Sequence, residues 1–218
     1  MIVQKPFALI FDMDGVLIDN HAYHLAAWIE FCRRYDIVIT PEEFKRKMFG
    51  GSNRNLMEKV FGRQLDDKEL EIKADEKETI YREMHAPFIT AINGVKEFIL
   101  AARSAGYKTA VATAAPRENL HFTLDMTGMQ GMFDVKLDDS HVVHGKPDPE
   151  IYYRAAELLG LKAENCIVFE DSLTGIQAAQ SAGMRVIGIA TSLSPEELSH
   201  TWKVIHDFSE LTVNDLFS

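Results

Sequence analysis

The chain has 218 residues, 46% of them hydrophobic, which is enough apolar surface for an ordinary globular interior. Its formal net charge of -10 disfavours nucleic acid as a partner, so an anionic ligand would need a local positive site built from a metal and a few basic residues. Cys32 and Cys166 show no disulfide-framework or zinc-site spacing and are predicted to be small buried residues in a reducing compartment.

The first predicted element is a buried strand at Phe7–Phe11, which is too short for a signal peptide or a membrane span. Other stretches also fall short of about 18 uncharged apolar residues, which predicts a soluble, cytoplasmic protein without a membrane partner. From about residue 20 to residue 89, helical periodicity replaces strand patterns, and the alternating charges of Asp66–Glu78 indicate a solvated helix face. This region is therefore predicted to be an all-helical insertion.

Strands and helices alternate in the remainder of the chain. Helices are predicted at about 94–105 and between Pro149 and Gly160. Short apolar runs predict strands at Thr109–Ala112, Cys166–Phe169 and Val186–Ala190, with a weaker candidate at Val204–Ile205. Buried strands that alternate with helices are typical of a doubly wound α/β fold with a parallel sheet, whose ligands bind beyond the carboxyl ends of the strands.

The strand ends carry a set of residues suited to phosphoryl transfer. Asp12 and Asp14 follow the first strand, and their i, i+2 spacing places both carboxylates on one side of an extended segment. Thr113 follows the second strand, Lys146 lies in a Gly-Lys-Pro-Asp-Pro turn, and Glu170-Asp171 follow the strand at 166–169. Each residue alone has a simpler local explanation, such as a surface lysine or a helix cap. Their order at successive strand ends favours one common site.

Carboxylate oxygens from Asp12 and Asp171, with Glu170 in support, form a hard ligand set that suits Mg²⁺. Asp12 is predicted to attack phosphorus, and Asp14 to act as general acid and base. Thr113, with the neighbouring backbone at Ala114, and Lys146 are predicted to bind the phosphate.

These motifs resemble those of the haloacid dehalogenase superfamily, in particular its β-phosphoglucomutase-like phosphatase branch. They are Asp12-Met13-Asp14-Gly15-Val16, Thr113, Gly145-Lys146-Pro147-Asp148-Pro149 and Glu170-Asp171-Ser172-Leu173-Thr174-Gly175-Ile176, in the family's order. The resemblance implies a Rossmann-like core of residues 1–18 and 91–218 and a helical cap at 19–90. It also implies that Asp12, the backbone carbonyl of Asp14 and Asp171 bind Mg²⁺, with Glu170 nearby. The second aspartate, Asp14, argues against a dehalogenase or a phosphonatase.

In the implied cap, His24, Trp28 and Lys77 resemble the mutase pattern, in which the histidine helps to position Asp14 and the lysine reaches the sugar phosphate. Packing for His24 and Trp28, and solvent exposure for Lys77 and Arg54, are the alternative interpretations. The loop Gly50-Gly51-Ser52-Asn53-Arg54 places its arginine one residue later than the mutase does, and the stretch 115–119 also departs from the mutase pattern.

The expected function is that of a Mg²⁺-dependent phosphatase of small phosphorylated metabolites, such as sugar phosphates, which acts through an aspartyl phosphate. One alternative is a β-phosphoglucomutase-type sugar phosphomutase, and another is a non-catalytic ligand-binding protein on the same fold. A monomer is expected.

Overall fold

In the computed structural model, which describes residues 7–40, 42–43 and 53–216, the chain forms two units. The larger unit combines the chain up to Asp19 with the chain from Thr90 onward, and the smaller unit runs from Asn20 to Ile89. These boundaries lie one residue from those expected from the sequence. Within the described ranges, no helix is long and apolar enough to cross a membrane.

The larger unit contains a six-stranded parallel sheet in the order β3-β2-β1-β4-β5-β6. The strands are β1 (Ala8–Phe11), β2 (Lys108–Ala112), β3 (Val135–Leu137), β4 (Cys166–Glu170), β5 (Arg185–Ile189) and β6 (Lys203–Ile205). The chain winds outward from β1 through β2 to β3 and then returns to the other side of β1 for β4. Because the winding direction reverses between β1 and β4, the crevice at their carboxyl ends is the expected ligand site. The predicted doubly wound α/β class is confirmed.

The helices occupy both units. Within the described residues, the long α-helices are α1 (His21–Arg34), α2 (Asn53–Phe61) and α3 (Asp67–His85) in the smaller unit, and α4 (Val95–Ser104), α5 (Arg117–Met126), α6 (Glu150–Leu159) and α7 (Leu173–Ser181) in the larger one. The sequence patterns did not predict β3, because it has only three residues at the edge of the sheet and contains Lys136. Strand β5 begins and ends one residue earlier than its apolar run predicted.

Alternate residues of β1 pack against helices on opposite faces of the sheet. Leu9 and Phe11 join the apolar layer that contains Phe98 of α4. Ala8 and Ile10 join the opposite layer, which is formed with α6 and α7. All four strand residues are fully buried, which explains why the run lacks polar alternation. The two apolar layers hold the end of β1 in a fixed position.

The smaller unit has an apolar core between α1 and α3, to which Trp28 and Cys32 contribute. The charge run of α3 is only partly solvated, because Lys73, Lys77 and Glu78 are buried. The Lys77 ammonium pairs with the Glu78 carboxylate at 2.8 Å, and the Lys73 ammonium lies 4.0 Å from the centre of an aromatic ring. The prediction of a solvated face is therefore wrong for these three residues. Their burial is tolerated because each charged group has a partner nearby.

Candidate active site

The carboxyl ends of β1 and β4 bring Asp12, Glu170 and Asp171 together. Asp12 follows β1 directly, and its backbone N–H donates to the carbonyl of Phe169 at 3.0 Å. Glu170 is the last residue of β4, and Asp171 follows it. One carboxylate oxygen from each of the three acidic residues lies within 4.8 Å of the others, and all three residues are buried. Parallel pairing of β1 and β4 thus joins residues that are about 160 positions apart in sequence.

Lys146 links two of these carboxylates. Its ammonium donates to Asp12 Oδ1 at 2.8 Å, to Glu170 Oε1 at 2.6 Å and to the carbonyl of Ala112 at 3.3 Å. These three contacts use the whole donor capacity of the ammonium group. The positive charge of Lys146 is therefore held at the carboxyl ends of β1 and β4, where the winding direction of the sheet reverses. It lies beside Asp12, the predicted nucleophile.

The turn after Asp12 places Asp14 at the same edge. Gly15 has a φ of 74°, which favours glycine, and its N–H donates to the carbonyl of Ile18 at 2.8 Å. The carbonyl of Gly15 accepts from the hydroxyl of Thr191 at 2.6 Å, so the loop after β5 supports this turn. The Asp14 carboxylate is close enough to raise the pKa of Asp12.

Thr113 lies at the end of β2, as predicted. Its backbone N–H donates to the carbonyl of Leu137 in β3, and its hydroxyl accepts from the N–H of Ala115 at 3.0 Å. The hydroxyl therefore organises the turn that contains Ala114, which is exposed. An accepting hydroxyl keeps its own proton available for donation to an anion.

Glu170 is anchored by donors on both oxygens. Oε1 accepts from Lys146 and from the hydroxyl of Tyr152 at 3.0 Å. Oε2 accepts from the N–H groups of Asp171 and Ser172, at 2.9 and 3.0 Å, and from the Ser172 hydroxyl at 3.0 Å. Ser172 is also the N-cap of α7, so helix capping does not occupy the carboxylate of Asp171.

Gly175 in the first turn of α7 makes room for this carboxylate. A Cβ atom at this position would lie 1.6 Å from Glu170 Oε1 and 2.0 Å from its Cδ. The absence of a side chain is therefore a requirement for the observed position of Glu170.

Asp171 is held by the loop that follows β5. The Ser192 hydroxyl contacts the Asp171 carboxylate, and it lies 2.9 Å from the Asp171 carbonyl. Sequence reasoning missed both Ser192 and Tyr152. Ser192 could have been found by applying the strand-end criterion to the run at 186–190, and Tyr152 by noting that a phenol in an apolar helix stripe needs a buried acceptor.

Burial and neighbouring charges shift the pKa values of Asp12, Lys146 and Glu170. Burial raises the pKa of Asp12 well above its usual range. The positive charge of Lys146 lowers this pKa, but it does not cancel the effect of burial. The neighbouring carboxylates raise the pKa further; they belong to Glu170, Asp14 and Asp171. Burial disfavours the charged form of Lys146, but the Asp12 and Glu170 carboxylates raise its pKa well above the ordinary value. Burial also acts against ionised Glu170, yet the Lys146 ammonium and the donors from Ser172 lower its pKa. Lys146 and Glu170 thus form the tighter ion pair.

The chemistry of the donor set fits a divalent cation. The carboxylates of Asp12, Glu170 and Asp171, with the single ammonium of Lys146, leave two negative charges in excess when all are ionised. Such an excess is costly in a buried site unless a cation compensates for it. Hard carboxylate oxygens are ligands that Mg²⁺ prefers. Because both oxygens of Glu170 already accept hydrogen bonds, Asp12 and Asp171 are the better direct ligands.

The candidate residues of the smaller unit have partners within that unit. The ammonium of Lys77, which is 2% exposed, donates to His24 Nδ1 at 3.1 Å, and the His24 ring stacks on Tyr81. Burial lowers the pKa of His24 well below its usual range, and the Lys77 charge adds to this effect. Arg54 donates to the carbonyl of Leu65 at 3.0 Å and pairs with carboxylates of the same unit.

The remaining candidates of this unit are Trp28 and the loop at residues 50–54. Trp28 is a core residue, as the packing interpretation predicted. Residues 50–52 of the loop that precedes Arg54 lie outside the described residues.

Comparison with known proteins identifies relatives of the chain. The profile of the family described as haloacid dehalogenase-like hydrolase matches residues 9–189. A phosphorylated carbohydrates phosphatase of Thermotoga maritima is 34% identical over 194 residues, which cover 86% of this chain and 87% of that protein. The chain spans only 21% and 56% of the length of two longer relatives from Arabidopsis thaliana.

Solved structures that resemble this chain include proteins of the same family. A haloacid dehalogenase-type hydrolase from Entamoeba histolytica superposes with a TM-score of 0.90 at 30% identity and covers 96% of this chain and 97% of its own. A β-phosphoglucomutase from Clostridium difficile superposes with a TM-score of 0.83 at 26% identity and covers 97% and 95% of the two chains.

Proposed function

The chain belongs to the haloacid dehalogenase-like hydrolase family, and we propose that it is a Mg²⁺-dependent phosphatase of small phosphorylated metabolites, with sugar phosphates as the substrate class. The observation that carries the proposal is the Asp12 carboxylate, held 2.8 Å from the Lys146 ammonium and beside the buried Asp171. The likeness to a phosphorylated carbohydrates phosphatase supports the substrate class.

Asp12, Asp171 and the backbone carbonyl of Asp14 would hold the metal ion, and Glu170 would orient the ligands around it. A bound Mg²⁺ ion supplies positive charge that reduces the repulsion between a carboxylate nucleophile and a phosphate. The residues of the chain then have separate tasks in attack, protonation and charge stabilisation.

In the first half-reaction, a carboxylate oxygen of Asp12 forms a bond to phosphorus while the bond from phosphorus to the ester oxygen breaks. Asp14 gives its proton to that leaving oxygen, which departs as an alcohol. Lys146 and the proton of the Thr113 hydroxyl stabilise negative charge on the phosphoryl oxygens.

In the second half-reaction, the Asp14 carboxylate takes a proton from water while the water oxygen bonds to phosphorus. The bond between phosphorus and Asp12 breaks, which regenerates the Asp12 carboxylate and releases inorganic phosphate. Asp14 ends this step protonated, as it began the first, so the cycle balances.

The buried position of Lys77 favours hydrolysis over the phosphomutase alternative. That alternative needs a lysine of the smaller unit for a sugar phosphate, whereas Lys77 is 2% exposed and pairs with Glu78 at 2.8 Å. A protein that only binds ligands would not require the complete set of Asp12, Asp14 and Asp171 at the ends of β1 and β4.

The test is phosphate release from a panel of phosphorylated metabolites in the presence of Mg²⁺. Wild-type protein should hydrolyse members of the panel, chelation of the metal should stop the reaction, and Asp12→Asn should lower the rate to background. Asp125→Asn, an exposed position on α5, is the matched control and should keep the wild-type rate. Equal rates for wild type and Asp12→Asn, or no release from any compound, would refute the phosphatase assignment.

A parallel assay with β-glucose 1-phosphate and a bisphosphate primer examines the phosphomutase alternative. The proposal predicts release of phosphate without accumulation of glucose 6-phosphate. Faster formation of glucose 6-phosphate than of free phosphate would favour the mutase.

A further inference from the structure

Tyr152 is a polar residue in an otherwise apolar position. It lies on α6 within the apolar layer between this helix and the sheet, and its side chain is fully buried. Its hydroxyl donates to Glu170 Oε1 at 3.0 Å. A phenol in such a place is stable only because an acceptor faces it.

The same tyrosine also contacts Lys146. The Lys146 ammonium lies 5.0 Å from the centre of the Tyr152 ring, within the range of a cation–π interaction. One side chain therefore touches both partners of the buried ion pair. Its ring and its hydroxyl lie beside the Lys146 ammonium, and the hydroxyl donates to the Glu170 carboxylate.

The position of Lys146 is a balance between two carboxylates. The Lys146 ammonium lies 2.6 Å from Glu170 Oε1 and 2.8 Å from Asp12 Oδ1. Because the two distances are similar, a small movement of the ammonium would strengthen one hydrogen bond at the expense of the other. Glu170 Oε1 accepts from Lys146 and Tyr152. Without the hydroxyl, Lys146 would have to satisfy this oxygen alone, which would draw the ammonium toward Glu170 and away from Asp12.

We propose that Tyr152 is a positioning residue that keeps the Lys146 ammonium within reach of Asp12 by sharing the demand of Glu170 Oε1 for hydrogen bonds. The inference rests on the proposed function, because the reaction at Asp12 is where the position of Lys146 has its effect. Tyr152 itself touches neither Asp12 nor the substrate in this assignment, and it acts through Lys146 and Glu170.

The test is Tyr152→Phe, which removes the hydroxyl but keeps the ring, its packing and the contact of the ring with Lys146. A hydrogen bond to a charged group is worth about a factor of ten or more in an equilibrium or a rate. We therefore expect kcat for phosphate release to fall about tenfold. Affinity for beryllofluoride with Mg²⁺, which imitates the phosphorylated aspartate, should fall about as much.

Tyr153→Phe is the matched control, because Tyr153 is the next residue on α6 and its hydroxyl donates to the carbonyl of Ser181, outside the site. It should keep wild-type kcat and beryllofluoride affinity. Thermal unfolding and circular dichroism of both variants show whether they are folded. A lower melting temperature for Tyr152→Phe with unchanged kcat and affinity would indicate a structural role alone and would overturn the inference.

A double-mutant cycle with Glu170→Gln examines the route of the effect. The amide has no net charge to attract Lys146, so Tyr152→Phe should change kcat less than about twofold in this background. An undiminished tenfold effect would overturn the role of Glu170.

The requirement for Mg²⁺ separates positioning of Lys146 from an effect on the metal. The inference predicts that saturating Mg²⁺ does not restore the kcat of Tyr152→Phe, and full restoration would contradict it. If wild-type protein neither releases phosphate nor binds beryllofluoride, the proposed function fails. If wild type is active and both tyrosine variants match it, the inference about Tyr152 alone fails.

Discussion

Replacement of Gly175 by alanine should disable the site without touching a residue that reacts. The added Cβ would lie 1.6 Å from Glu170 Oε1 and 2.5 Å from Oε2, whereas Cβ atoms in proteins keep at least 3.0 Å from such neighbours. Glu170 or the first turn of α7 must therefore move by at least 1.4 Å, which is the difference between the minimum separation of 3.0 Å and the distance of 1.6 Å.

The displaced carboxylate cannot keep its present partners. Lys146, Tyr152 and the N–H groups that follow β4 all contact Glu170 at 2.6–3.0 Å. Overpacking of a core costs about 1–3 kcal/mol, and disruption of a buried ion pair costs about 3–5 kcal/mol. We expect the free energy of unfolding to fall by about 3 kcal/mol. Since misplacement by about 1 Å can cost about 100-fold in rate, kcat/KM should fall by about that factor.

Urea denaturation and steady-state phosphate release measure the two effects. Gly131→Ala is the matched control, because a Cβ at that position would meet nothing within 4 Å and its φ is not in the left-handed region. This control should stay within about 0.5 kcal/mol of the wild type in stability and keep its kcat/KM. Wild-type stability and kcat/KM for Gly175→Ala would refute the packing argument.

Three further outcomes are expected. Ser192→Ala removes the hydroxyl that holds Asp171, so calorimetry should find Mg²⁺ affinity about 10- to 100-fold weaker; unchanged affinity would contradict this role. Burial lowers the pKa of His24 from its usual value of 6.5. The contribution of the neutral His24 side chain to the free energy of unfolding is therefore complete above about pH 6.5, and it is lost as the pH falls through the pKa of His24 in the folded state. His24→Gln should flatten that part of the pH profile of urea denaturation, and an unaltered profile would count against it. Burial raises the pKa of Cys32 and Cys166 to about 11, so alkylation monitored by mass spectrometry at pH 8 should label neither thiol before unfolding.

Apart from the short edge strand β3, the strands of the sheet and the positions of the strand-end residues could be predicted from the sequence because both depend on local patterns. An uninterrupted apolar run such as Phe7–Phe11 predicts a strand covered on both faces, and a glycine after the aspartates predicts a sharp turn. Strand β1 and the φ of 74° at Gly15 agree with these expectations. The motifs at 12–16 and 170–176 also predicted the family, because their order along the chain reflects the order of the strand ends.

Only the tertiary structure decided which side chains meet. The contact between Lys146 and Asp12 joins positions 134 residues apart, and the hydroxyl of Tyr152 finds its acceptor on β4 only when α6 packs on the sheet. Lys77 lies in a charged run that predicts exposure, yet α1 and α3 bury it beside His24. Hydrophobic periodicity records which face of an element is buried, but the partner of a buried polar group depends on the packing of distant elements. For that reason the sequence could predict Asp12 and Asp14 as the reactive pair, while the structure identified the residues that hold Lys146, Glu170 and Asp171 in place.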